Sequence, residues 1–148
     1  MTISTDVLHT ATQAVAADSI VSTQLIQSLW GGYGDLFRAT LQGSKYSSVI
    51  VKHIKLPQPQ PQQHPRGWNS PLSHQRKLTS YQVERRWYQH FANNCLAQCP
   101  VPKCLYVEEH NDEILLIMED LATLGFTQVY TSAEVTIENA IKPHQIQA

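Results

Sequence analysis

Long apolar runs are missing from this sequence: the longest, ILLIM, covers only residues 114 to 118. A helix that spans a bilayer needs about 20 consecutive apolar residues, so none is expected. Residues 1 to 22 contain neither Lys nor Arg and no continuous apolar stretch ahead of an Ala-rich cleavage site. That argues against a secretory signal and makes the cytoplasm the expected compartment. Charge of one sign is lacking too. Lys and Arg number 11 against 12 Asp and Glu, the formal net charge is -1 and the pI is near 6.6. No bulk positive field therefore draws the chain to nucleic acid or anionic lipid. Cysteine is scarce: Cys95, Cys99 and Cys104 cannot all pair with one another, and their spacing supplies no second half of a zinc site. Free thiols are expected, acting as small buried hydrophobes near a helix end and a strand start.

What is present suffices for one domain, since 42% of the 148 residues are apolar. Met1 to about Val21, rich in Thr, Ser and Ala, suits either a frayed terminus or a short helix lying on the domain. From Thr23 the run TQLIQSLW, a turn at Gly31-Gly32-Tyr33-Gly34 and the alternating DLFRATL predict two antiparallel strands around glycines. Gly43-Ser44-Lys45 makes another turn, and the β-branched SSVIVKHIKL follows as a third strand with apolar residues on both faces. Residues 57 to 71 hold five of the eight prolines and are expected as a long edge loop, a solvated spacer. Ser70-Pro71 offers a helix start, and the spacing of Tyr81, Glu84, Tyr88, Phe91 and Cys95 predicts one helix face between Ser73 and about Asn94, broadened by Val83 and Trp87. KCLYVEE and EILLIMEDL, separated by His110-Asn111-Asp112, predict a second hairpin, and weak amphipathic character follows around Ala133 to Ile141.

Two charged residues sit where water should be scarce. Lys52 is flanked on its own strand face by Ile50 and Ile54, and Glu84 lies on the helix face marked by Tyr81 and Tyr88. A carboxylate buried there costs several kcal/mol unless a cation meets it, so the two side chains are candidates to answer each other. The bland alternative has Lys52 snorkelling to the sheet edge and Glu84 solvated at the margin of its stripe. Gly32-Tyr33-Gly34, between two strands upstream of the lysine, could bring backbone amides close to polyphosphate oxygens, although a plain hairpin turn explains two glycines equally well.

The ordered set of GGYGDLFRATL, VIVKHI, SYQVERRWYQHF, VPKCLYV and ILLIMEDL resembles a protein-kinase-like N-lobe. The nearer likeness is to the small-molecule branch, the aminoglycoside phosphotransferase and choline kinase-like enzymes with the ecdysteroid kinase-like group, whose E-x-x-F/W-Y run resembles Glu84, Trp87 and Tyr88. The resemblance implies an α+β fold, a five-stranded antiparallel sheet with one main helix. It divides the chain into an extension at 1–22, an ATP-binding N-lobe at 23–122, and a hinge with the start of an incomplete C-lobe at 123–148. It also implies roles. Gly32, Tyr33 and Gly34 would approach the phosphates of ATP, Lys52 would hold them, Glu84 would fix Lys52, and Ala39 and Ile50 would cover the adenine ring. Met118 would guard the back of the pocket, where ordinary strand core is the competing and compatible view, and the backbone of Glu119, Asp120 and Leu121 would read the adenine edge. One departure is Phe37 at the third glycine position of the protein-kinase pattern, which shifts the branch more than the fold.

No H-G-D-x-x-x-x-N loop and no following metal-binding Asp occur in the sequence, and His110-Asn111-Asp112 reads as a turn. The resemblance therefore implies a chain that ends just past the hinge and is catalytically silent alone. Mg²⁺ and a small hydroxylated acceptor would then be bound only with a C-lobe, and self-association through the exposed lobe face is open. The alternative is a stand-alone, non-catalytic binding or regulatory module, to which exposed apolar surface on the open side of the sheet would point. A third reading, a sheet that binds single-stranded nucleic acid, rests on Arg66, Arg76, Lys77, Arg85 and Arg86 near Trp68 and Trp87, and is opposed by the balancing acidic residues.

Overall fold

A computed structural model of the chain describes residues 3–55, 71–95 and 101–127. The expected proline-rich loop, Ser70, Cys99, Arg66, Trp68 and the amphipathic stretch after Tyr130 lie outside those residues. Helix α1 spans Thr5–Ala14, strand β1 Ser19–Ser28, β2 Gly34–Gln42, β3 Ser48–Lys55, helix α2 Pro71–His90, β4 Cys104–His110 and β5 Glu113–Glu119. The strands form one antiparallel sheet in the order β1-β2-β3-β5-β4, with β3 central. The fold is thus α+β with a five-stranded antiparallel sheet, and the described residues carry two α-helices, the long α2 and the short α1.

Because side chains alternate across a strand, each strand serves two faces. Phe37, Ala39 and Leu41 of β2, Val49 and Val51 of β3, and Leu115 and Ile117 of β5 share one face, and Val7, Ala11 and Val15 pack on it. The four-residue spacing of Val7, Ala11 and Val15 lines one side of a helix, so the N-terminal segment is core structure rather than a frayed end. β1 begins at Ser19, before Thr23, where the apolar pattern tightens.

The other face is set by register. Leu36 lies opposite Lys52 and Lys52 opposite Leu116, while Arg38 lies opposite Ile50 and Ile50 opposite Met118. α2 packs over this face through Tyr81, Glu84 and Tyr88, which are half-buried as their spacing predicts. Phe91, Cys95 and Val83 are exposed, contrary to expectation. The helix ends at His90 and the chain turns through Ala92–Asn94, so the spacing that would carry Phe91 and Cys95 onto the stripe is lost. Val83 sits about 100° round the helix from Glu84. Of the thiols expected to be buried, Cys95 is exposed and Cys104 half-buried, where burial pushes its pKa up. Both are free.

The far end of α2 is tied to β4. Asn93 Nδ2 donates to the Cys104 carbonyl at 3.1 Å and Asn93 Oδ1 accepts from the Cys104 N–H at 2.9 Å, while Arg85 Nε meets Glu109 at 3.0 Å. Arg85 is therefore engaged within the fold, which removes one cation from the nucleic-acid reading. The β4–β5 turn is made by Asn111 and Asp112 at φ 48° and 62°, a two-residue left-handed turn that suits these side chains.

Candidate functional site

Lys52 occupies the middle of β3 with Leu36 and Leu116 as its cross-strand neighbours. On that apolar floor its side chain retains 15% of its exposure and Glu84 retains 32%. Lys52 Nζ donates to Glu84 Oε1 at 2.7 Å and to Oε2 at 2.6 Å. The sheet presents the lysine and α2 presents the acid, as the spacing around each had indicated. Tyr81 lies beside the pair, its ring centroid 5.6 Å from the lysine nitrogen. Burial first, and the Glu84 charge second, push the phenols of Tyr81 and Tyr88 above their usual pKa.

The glycine turn is folded onto the helix rather than left open. Gly31 and Gly32 take φ 74° and 75°, a left-handed pair that an ordinary side chain resists. Gly34 opens β2 so close to β3 that a Cβ there would overlap the His53 carbonyl. Between these glycines Tyr33 turns inward and is buried. Its hydroxyl shares a 2.6 Å hydrogen bond with His74 Nδ1, its ring lies 5.8 Å from that of Tyr81, and Lys77 Nζ sits 5.1 Å above it. Burial raises the Tyr33 phenol pKa. The Gly32 N–H, expected to face phosphates, donates to the Leu29 carbonyl at 3.2 Å.

The remaining candidates divide between two places. Ile50 and Met118 are cross-strand partners on the Lys52 face, Met118 being buried. Ala39 is not with them. It pairs with Val49, is fully buried on the α1 face, and cannot share a surface with Ile50; the residue opposite Ile50 is Arg38. The expectation came from matching Ala39 to a position in the family, and in the register found here the partner of Ile50 is one residue away, which reverses the face. At the end of β5 the Glu119 N–H donates to the Lys103 carbonyl at 3.0 Å, and the Leu121 carbonyl accepts from Phe126 at 3.1 Å.

Asp120, expected to contribute only backbone, has a buried side chain that joins three elements. Its carboxylate accepts from Arg38 Nε at 2.6 Å, Ser48 Oγ at 2.6 Å and the Ala122 N–H at 3.1 Å. Burial alone would raise this carboxyl; the hydrogen bonds from Arg38, Ser48 and Ala122 outweigh it and hold the pKa below the usual range. Nothing in the sequence signals this cluster, since Arg38 and Asp120 are 82 residues apart. Tyr33, His74 and Lys77 were equally silent as partners of one another. Among the described residues, no group of His, Cys, Asp and Glu is arranged to hold a metal ion, and no helix is long and apolar enough to cross a membrane.

No protein-family model, no curated protein and no solved structure matches the chain. The functional reading therefore stands on the geometry and chemistry of these side chains.

Proposed function

We propose that this chain is the ATP-binding half of a phosphotransferase that phosphorylates a hydroxyl of a small molecule. The observation that carries the reading is the two-pronged contact between Lys52 and Glu84 on the α2 face, beside the glycine turn. An ammonium has three N–H donors, and Glu84 engages two directions, which leaves the third to point at a phosphate oxygen. Glu84 thus acts as the group that fixes the direction of a point charge. Ile50 and Met118, adjacent on the same face, supply an apolar surface of the kind a base ring covers. Bound ATP would supply the transferable phosphoryl group; this chain would hold and orient it, and its acceptor and Mg²⁺ would meet it through a C-lobe.

Two features weigh on the other side. Tyr33 fills the space under the glycine turn, and the Gly32 amide is satisfied internally. They favour the second reading, a non-catalytic binding module that keeps the lysine–glutamate pair as a strut. Calorimetric titration with ATP, with and without Mg²⁺, separates the two. Binding by the wild type, weakened at least tenfold (about 1.4 kcal/mol) in Lys52→Met and less in Glu84→Gln, supports the nucleotide reading. Tyr33→Ala should bind ATP more tightly than the wild type, because the ring no longer has to be displaced. Failure of both the wild type and folded Tyr33→Ala to bind would remove the nucleotide reading and leave the strut.

A further inference from the structure

The two edges of the sheet are built differently. β4 ends in Glu108, Glu109 and His110, and it is clamped by Arg85 of α2 and by Asn93 in the turn that follows the helix. Charged side chains and a covering helix are the ordinary means by which an edge is kept from pairing with another chain. Among the described residues β1, the opposite edge, has neither, and what blunts it is the pair of register shifts against β2. Its ten residues, SIVSTQLIQS, include no Lys, Arg, Asp, Glu or Pro, and nine of them are exposed. Val21, Leu25 and Ile26 are 63%, 47% and 45% exposed.

The pattern on this edge is symmetric. About Thr23 the residues run Ile-Val-Ser on one side and Gln-Leu-Ile on the other. A two-fold axis through Thr23, perpendicular to the sheet, would set the strand antiparallel to its own copy. Ser22 would then meet Gln24, Val21 would meet Leu25, and Ile20 would meet Ile26, each pair twice. Two conditions of such a pairing are met next to the axis. Opposed residues must point to the same face, and Ser22 and Gln24 do, since their β2 partners Thr40 and Arg38 share a face; Val21 and Ile26 lie in the register shifts and have no β2 partner. No like charges may oppose each other, and none is present. The register shifts between Ile20 and Ser22 and between Leu25 and Gln27 flank a regular stretch, Ser22–Leu25, that contains the axis.

We infer that β1 is a homodimer interface, at which two copies of this chain join edge to edge through an antiparallel β1–β1 pair centred on Thr23. The result is a continuous sheet of twice five strands, closed by two-fold symmetry so that it does not propagate into a fibre. The inference uses no residue of the lysine–glutamate site and stands or falls apart from the nucleotide reading.

Sedimentation equilibrium of the whole chain is expected to give twice 16.7 kDa at high concentration and to fall to 16.7 kDa in Thr23→Lys, where two ammoniums would meet on the axis. Thr23→Ser should retain the dimer, and circular dichroism checks that each variant is folded. Thr23→Cys should oxidise to a disulfide-linked dimer, whereas Gln27→Cys, with the same native thiols but far from its own copy, should not. If Thr23→Lys fails to fold, that crosslinking contrast decides. A wild type that is monomeric at every concentration, a dimer that survives in folded Thr23→Lys, or equal crosslinking at the two positions would overturn the inference.

Discussion

The two faces of the sheet are made by the same strands and serve opposite ends. Toward α1 the strands present Phe37, Ala39, Val49, Val51 and Ile117, all fully buried in an apolar cluster, and at one end of the same face His53 Nε2 meets Glu113 at 2.7 Å. Toward α2 they present Arg38 and Lys52 among Ile54, Ile114, Leu116 and Met118, all four buried, while none of the described α2 side chains is fully buried. The difference teaches where chemistry can be kept. The apolar centre of the α1 face makes the domain stable, so the opposite face can hold an ion pair, a tyrosine turned inward and Lys77, which among the described residues has no carboxylate partner, and still stay folded.

The contrast can be broken most severely from the α1 side. Phe37→Ala removes a fully buried ring and should lower unfolding free energy by about 3–5 kcal/mol, read as a lower midpoint in urea. Asp120→Ala should follow, at about 2–4 kcal/mol, because it strands the Arg38 guanidinium and the Ser48 hydroxyl beside β5. This loss has a direction in pH. The folded pKa of Asp120 lies below the ordinary value of 3.8, so its stabilisation is complete above that value and fades as pH falls through the folded pKa. Wild type and Asp120→Ala should therefore differ at neutral pH and converge in strong acid, as thermal melts across that range would reveal. Least affected should be Phe91→Ser, an exposed side chain just past the end of α2, with a change within about 0.5 kcal/mol. A large loss there would mean that α2 is as tightly packed as α1, and the contrast between faces would fail.

Local pattern made much of this legible. Period-two alternation in DLFRATL and the β-branched VIVKHI marked β2 and β3, and the short turn at Asn111-Asp112 marked the last hairpin. The meeting of Lys52 and Glu84 was legible for a more general reason: each charge sat in an apolar stripe, and a low dielectric leaves such charges little choice but to pair. Ala39 shows where this kind of reasoning stops. The resemblance matched it, with Ile50, to a position that covers the adenine ring, and the strand register put it on the opposite face. α1 was open between a loose end and a helix because its short apolar side chains acquire their value only against the sheet.

The order of residues determined, before any folding, that this chain would build an antiparallel sheet with a long helix and that one lysine and one glutamate would seek each other; alternation and desolvation are local consequences of side-chain chemistry. Only the tertiary structure decided that Tyr33 would lie under the glycine turn, that Asp120 would gather Arg38 and Ser48, and that β1 would be left as an uncharged open edge. Those outcomes depend on strand register and strand order, which are settled by contacts between residues far apart in the chain.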